Sequence, residues 1–366
     1  VSRSRIYVTE PSLPPLEEFV PYLQEIWASK QLSNGGPFHQ RLEDALCQYL
    51  GVKHISLVTN GTLALMVALK AIGVQGEVIT TPYSFVATAQ SLLWNQLKPV
   101  FVDVDPATGN IDPAKVAEAI TPSTSAILGV HCYGNPCDIE EIDRIAKRHK
   151  LKVVYDAAHA FGVNYKSESL LSYGDISAVS FHATKVFNTF EGGAIVSPDK
   201  ATKKRVDDIK NFSLAADGNV LDAGINGKMS EVNAAFGLLQ LDYVDKEIAS
   251  RRRSYEAYSR AFEEAPGLRC IPFNKKATPN GSYFPLLVED GRDELVEHLA
   301  HHGIFARKYF YPLITDMDMF AEFQLGQTNL GCAKTIAEQV VCLPMSARLT
   351  VREQDRIIEL VNAFLR

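Results

Sequence analysis

The chain has 366 residues, 46% of them hydrophobic, with 43 acidic side chains against 37 basic ones and a formal net charge of -6. A chain of this length exceeds one small core and predicts a large domain joined to a smaller one or two of similar size, and its mild acidity gives no electrostatic basis for binding nucleic acid or an anionic membrane. No apolar run approaches the ~20 residues of a spanning helix, and the opening VSRSRIYVTEPSLPP lacks the apolar centre of a secretory signal, which predicts cytoplasmic residence.

In chain order, a glycine-rich segment, LSNGGPF, precedes a long alternation of short apolar runs and amphipathic stretches. HISLVT, EVITTP, PVFVDV, SAILGVHCYG, KVVYDAA, ISAVSFH and GGAIVSP read as strands; GTLALMVALKAIGV, FVATAQSLLWNQ, DPAKVAEAI and DIEEIDRIAKRHK have helical periodicity. That alternation predicts an α/β fold built from βαβ units, a mostly parallel sheet with helices on both faces and ligands at the carboxyl ends of its strands. Beyond ATKKRVDDIKNF and the polar loop LAADGNVLDAGING, a long helix begins at MSEVNAAFG, and its RRR cluster reads as a solvated face. The remaining strands and helices, SYFPLLVED, DELVEHLAHHGI and REQDRIIELVNAFL, form a smaller α/β domain. The expected division is residues 1–245 and 246–366.

The cysteines, Cys47, Cys132, Cys137, Cys270, Cys332 and Cys342, are scattered and predict reduced, structural thiols. No cysteine or histidine spacing matches a metal site, so no metal is expected.

Four strand ends carry chemistry. At TNGTLALMVALK a strand runs into a helix, where free amides and Gly61 offer a phosphate a docking point or simply cap the helix. In TPYSFVATAQS, Phe85 or Tyr83 can lie on an aromatic ligand or sit in the core. In VVYDAAHAFG, Asp156 follows a strand and His159 comes three residues later. Such an aspartate caps a loop or holds a ring nitrogen protonated, the pairing that makes pyridoxal phosphate an electron sink. In SFHATKVFNTFEGGAIV, Lys185 follows a buried strand, where it either snorkels to solvent or, desolvated, offers a free amine for attack on a carbonyl. Ser180 supplies a hydroxyl just before it. The order along the chain, phosphate turn, stacking aromatic, ring-nitrogen carboxylate and lysine, favours that cofactor.

These segments, together with NGGPFHQRLEDALCQYLGV, PVFVDVD, NGKMSEVNAAFGLLQL and KYFYPL, resemble the DegT/DnrJ-type nucleotide-sugar aminotransferases, a branch of the fold-type I pyridoxal phosphate enzymes, over nearly the whole chain. The resemblance implies that Lys185 carries pyridoxal 5'-phosphate as a Schiff base, Asp156 pairs with its pyridine nitrogen, Phe85 covers one ring face and His159 lies against the ring. It further implies that Gly61, Thr62 and Ser180 hold the phosphate, and that Asn226 reaches the phosphate of a partner subunit in a homodimer. Where many relatives carry arginine before the methionine of an RMSE-like segment, this chain has Lys228, which keeps the charge but loses the bidentate fork.

The form SFHATKVFN…EGG resembles enzymes that aminate the C4 ketone of nucleotide-linked 4-keto-6-deoxy sugars. The implied reaction takes a dTDP-linked keto sugar and L-glutamate to dTDP-4-amino-4,6-dideoxyglucose, in a bacterial surface-polysaccharide or antibiotic-sugar pathway. Tyr309, Tyr311 and Asn34 are candidate sugar or nucleotide contacts. The alternatives are a 3-keto or UDP-linked substrate, a desulfurase, which requires a reactive cysteine late in the chain, and a non-catalytic regulator that binds the cofactor. Such regulators carry a DNA-binding module, and no basic helix-turn-helix segment precedes the first βα unit.

Overall fold

The computed structural model describes residues 5–324 and 329–365. The chain opens with β1 (Ile6–Tyr7), α1 (Leu16–Ser29) and α2 (Pro37–Leu50). Pro37 sits in the first turn of α2, where a missing N–H costs nothing, and Gly51 ends the helix in the left-handed region at φ 65°. The start of α2 has no side-chain cap of its own. A distant carboxylate takes that place: Glu231 accepts hydrogen bonds from the amides of Phe38 (2.8 Å) and His39 (3.1 Å), an anion at the positive end of a helix. Gly36 makes room for it, since a Cβ there would stand 2.6 Å from the Glu231 carboxyl carbon.

Next come β2 (Ile55–Val58), α3 (Gly61–Ala71), β3 (Glu77–Thr80), α4 (Val86–Trp94), β4 (Lys98–Phe101), α5 (Pro113–Glu118), β5 (Thr124–Val130), α6 (Ile139–His149) and β6 (Lys152–Asp156). They are followed by β7 (Asn164–Tyr165), β8 (Glu168–Ser169), β9 (Ile176–Ser180), β10 (Gly193–Val196), α7 (Lys200–Ile209) and α8 (Glu231–Phe262). All the strands and helices expected of the alternating region are present. The main sheet has seven strands in the order β2-β10-β9-β6-β5-β3-β4. Its pairings are parallel except that β10 runs antiparallel to both β2 and β9. No helix separates β9 from β10, so the chain turns straight back and reverses direction. Strand interiors such as β9, ISAVS, are buried throughout, as a sheet covered on both faces requires.

An ion cluster fastens α2 and α7 to this sheet. Glu43 on α2 accepts from the Leu57 amide of β2 (3.1 Å), from His39 (3.2 Å) and from Lys203 on α7 (2.9 Å), while Asp207 holds Lys203 and Lys210. Burial would raise the Glu43 carboxyl, but the His39 hydrogen bond and the Lys210 and Lys203 ammonium groups outweigh it and hold the group well below the usual carboxylate range. A folded-state value below the unfolded one gives stability that is complete above the ordinary value of 4.5 and is lost as pH falls through the folded one. Glu43→Gln is therefore expected to cost about 3 kcal/mol at neutral pH and to show a weaker loss between pH 7 and acid than wild type, measured by urea unfolding across that range.

The rest of the chain holds β11 (Leu268–Cys270), β12 (Ala277–Thr278), β13 (Phe284–Val288), α9 (Arg292–His301), β14 (Ile304–Phe305), α10 (Gly331–Gln339), β15 (Val340–Leu343) and α11 (Val351–Phe364). A second, antiparallel sheet has the order β11-β13-β15. The N-terminal β1 joins this part by pairing in parallel with β14. Residue 245 lies inside the unbroken α8, which serves two cores. Phe236, Leu239 and Val244 pack with Phe38 and Leu42 under the main sheet, whereas Tyr258 and Phe262 pack with Phe284, Leu286 and Ile357.

The RRR cluster departs from the expected solvated face. Arg251 is buried and donates to the Met345 carbonyl at 2.8 Å, Arg252 is half-buried and donates to the Pro279 carbonyl, and Arg253 alone of the three is exposed. Gly281, at φ 66°, lets the chain pass over Arg251, whose Cβ would lie 2.6 Å from a Cβ at that position. The cations satisfy backbone carbonyls of the smaller sheet's surroundings, which a reading of charge alone does not reveal. Among the described residues, no helix is long and apolar enough to cross a membrane.

Candidate active site

The carboxyl ends of β2, β3, β6 and β9 converge on one side of the main sheet. After β2, Asn60 caps α3 by accepting from the Leu63 amide at 2.9 Å. The first intrahelical bond, Ala64 N–H to the Asn60 carbonyl, leaves the Gly61 and Thr62 amides at the open, positive end of the helix. Ser180, the last residue of β9, lies against that end: a Cβ on Gly61 would stand 2.8 Å from the Ser180 Cβ and 3.2 Å from its Oγ. The result is a cradle of two amides and a hydroxyl suited to a phosphate.

Asp156 ends β6 and is almost fully buried. Its Oδ2 accepts from the Thr88 hydroxyl at 2.7 Å and its Oδ1 from the Ala158 amide at 3.1 Å. Burial pushes its pKa up, against which the two hydrogen bonds and the nearby Lys185 charge act. A desolvated carboxylate so placed is stabilised by a cation, such as a protonated heterocycle. Thr88 did not stand out in the sequence. Its signal is the pair Ser84 and Thr88, hydroxyls four residues apart just after a strand and 2.7 Å apart in space.

Tyr83 and Phe85 differ sharply in burial. Tyr83 is 0% exposed with its hydroxyl 2.6 Å from that of Tyr133, a core residue. Phe85 immediately precedes α4, is 58% exposed and stands one turn before Thr88.

Lys185 lies in the turn after β9. Phe187 stacks on Phe161 at 4.5 Å between ring centres, and Phe181 meets Phe187 edge-on at 4.9 Å, so both flanks of the lysine are anchored in aromatic packing. The Lys185 ammonium sits 5.9 Å from the Tyr283 ring centre, and its charge acts on both Asp156 and His159. Burial first, and Lys185 second, hold the His159 pKa well below the usual imidazole range. His159 Nδ1 accepts from the Tyr133 amide at 3.2 Å, so the neutral ring carries its proton on Nε2.

From the smaller sheet's side, Tyr309 and Tyr283 join this group. Their hydroxyls are 2.7 Å apart, and their rings lie 5.9 Å and 4.7 Å from that of His159. Tyr283, read from sequence only as part of a strand, is the second residue that sequence reasoning missed. Tyr311 stands apart, 46% exposed between Arg292 (4.6 Å) and Lys308 (5.8 Å). Asn34, at φ 66°, lines a separate cavity of about 290 Å³ with Lys210, Asn211 and Lys228. Asn226 is exposed and accepts from Lys228 at 2.7 Å, while Lys228 also lies 4.9 Å from the Phe212 ring centre. Within one chain, then, Gly61, Thr62 and Ser180 form one group, Asp156, His159, Lys185 and Tyr309 a second, and the recorded contacts of Asn34, Asn226 and Tyr311 lie outside both.

The sequence profile of the DegT/DnrJ/EryC1/StrS aminotransferase family matches residues 16–362. The chain belongs to this family. It is 54% identical over 362 residues, 98% of each chain, to a dTDP-4-amino-4,6-dideoxy-D-glucose transaminase of Shigella dysenteriae. It is also 49% identical over 365 residues to the transaminase of the same name from Escherichia coli, covering 97% of this chain and 98% of the relative. The crystal structure of DesI in the presence of its TDP-sugar product superposes with a TM-score of 0.94 at 33% identity, covering 99% of this chain and 93% of that one.

Aminotransferases of this family depend on pyridoxal phosphate, and the residues present fit it. The Gly61 approach to Ser180 leaves no room for a side chain at the head of α3, Asp156 is a buried carboxylate on which the Lys185 charge acts, and Phe85, one turn before the Thr88 that donates to Asp156, is exposed.

Proposed function

We propose that this enzyme moves the amino group of L-glutamate to the C4 ketone of dTDP-4-keto-6-deoxyglucose, giving dTDP-4-amino-4,6-dideoxyglucose and 2-oxoglutarate. The observation that carries the reading is the convergence of Lys185, Asp156 and His159 beside the Gly61 and Ser180 cradle, in a chain that matches two transaminases of that product from end to end.

Bound pyridoxal phosphate supplies an electron sink through its protonated ring. The Gly61 and Thr62 amides and the Ser180 hydroxyl would bind its phosphate, Asp156 would keep the ring nitrogen protonated, Phe85 would cover one face, and His159, with its Nδ1 taken by the Tyr133 amide, would lie against the ring. The Lys185 amine would hold the cofactor through its aldehyde carbon and, when free, would serve as the base that carries a proton between the donor α-carbon and that carbon, across the intervening nitrogen. Because the same residues would serve the glutamate and the keto-sugar half-reactions, double-displacement kinetics are expected. Tyr309, which borders His159 and Tyr283, would contact the sugar nucleotide, whereas Tyr311 and Asn34 stand apart within one chain and would reach it only across a dimer.

The working unit in this reading is a homodimer in the cytoplasm, with Asn226 serving the partner's phosphate. The segment around Asn226 presents Phe212, Leu214, Val220 and Leu221 to solvent, and Leu214 pairs with Val220 in a short hairpin that holds them out. Exposed apolar side chains gathered this way suit a second copy. The amino sugar would serve surface-polysaccharide synthesis, including O-antigen.

The test is incubation of the purified enzyme with glutamate and a panel of 3-keto and 4-keto nucleotide sugars, with products identified by mass and proton spectra. Glutamate alone should bleach the visible band, and the dTDP-linked 4-keto sugar should be aminated at C4. Amination only at C3, or only of UDP-linked sugars, would replace this substrate assignment.

A further inference from the structure

We propose that Ser84 and Thr88 form a positioning relay that fixes the orientation and the ionised state of Asp156 for catalysis, an inference that rests on Asp156 being the partner of the cofactor ring. Thr88 is 0% exposed on α4, a different element from the strand that carries Asp156. Its hydroxyl lies 2.7 Å from Asp156 Oδ2 and 2.7 Å from Ser84 Oγ.

The hydrogens can be assigned. An ionised carboxylate only accepts, so the single Thr88 hydrogen points to Asp156, and Ser84 must donate its own to Thr88. The chain therefore runs in one direction, Ser84 to Thr88 to Asp156, and each bond polarises the next toward the charge. The Ala158 amide holds the other oxygen from the loop side. Two donors from two elements thus fix the plane of the carboxylate. A valine at 88 keeps the volume and removes the donor, which separates this role from packing.

The holoenzyme is compared with Thr88→Val, Thr88→Ser, Ser84→Ala and Asp156→Asn. Thr88→Val should slow the single-turnover reaction with glutamate about 10- to 100-fold, the scale of one charge-assisted hydrogen bond, and change the absorbance band ratio of the bound cofactor, with KM for the sugar nucleotide unchanged. Thr88→Ser should restore both, and Ser84→Ala should lie between. Wild-type rate and spectrum in Thr88→Val, with Asp156→Asn inactive, would overturn the relay alone. A wild-type Asp156→Asn would overturn the reading of Asp156 beneath it. If Thr88→Val does not fold, Ser84→Ala decides, and an unchanged rate and spectrum there would overturn the proposal.

Discussion

Lys185→Ala is expected to lose transamination by about 10⁴-fold or more, the scale of removing a group that both binds covalently and carries the proton. The same variant should keep its fold. Among the described residues the Lys185 ammonium makes no ion pair, and its nearest recorded partner is the face of Tyr283 at 5.9 Å, an interaction of about 0.5–2 kcal/mol. The neighbouring backbone is held independently by the Phe161, Phe181 and Phe187 packing and by the Lys185 amide donating to the His182 carbonyl at 2.9 Å. Two measurements separate a lost nucleophile from a lost fold. Borohydride should fix the cofactor to wild type on the peptide containing Lys185 and fail to fix it in the variant, while the melting temperatures of the two proteins stay close. Fixation at another peptide, or turnover near wild type, would remove Lys185 from its role.

The sheet was legible because buried strands and amphipathic helices have different periods, and the residues that follow strand ends were legible because a doubly covered sheet has one place for ligands. Gly61, Asp156, His159, Ser180 and Lys185 all belong to that set. What escaped was set by tertiary contact. Thr88 is an ordinary helical threonine until Asp156 arrives 2.7 Å away, from 68 positions along the chain. Tyr283 reaches Lys185 and His159 only once the smaller sheet has docked. The cap on α2 comes from Glu231, 193 positions beyond Phe38, and no local pattern announces it. Arg251 misled because its charge suggested water, whereas the guanidinium is buried and donates to the Met345 carbonyl. Asn34 and Tyr311 stand out by the glycine-rich and aromatic segments that hold them and Asn226 by family likeness, and among the described residues the contacts of all three lie outside the Lys185 group. In the proposed homodimer such positions would acquire partners.

Asp156→Asn should retain the cofactor and lose turnover by about 10³-fold, the scale of removing a preorganised electrostatic partner. The substitution is isosteric, and the surroundings can take it without an unpaired group. Oδ1 accepts from the fixed Ala158 amide, so the amide oxygen of asparagine must occupy that position and its NH2 must face Thr88. Thr88 can then accept, turning its own hydrogen to Ser84, 2.7 Å away. Folding survives because the relay reverses. The charge does not survive: a neutral amide leaves the ring nitrogen without the anion that keeps it protonated, and the electron sink weakens. Burial also means that no water replaces the lost carboxylate, Asp156 being 6% exposed. The expected signature is cofactor content and melting temperature near wild type, a glutamate half-reaction slowed by the full factor, and an unchanged KM for the sugar nucleotide. If turnover stays near that of wild type, the buried carboxylate is a structural cap at the end of its strand, and the proton on the ring must be held by another group.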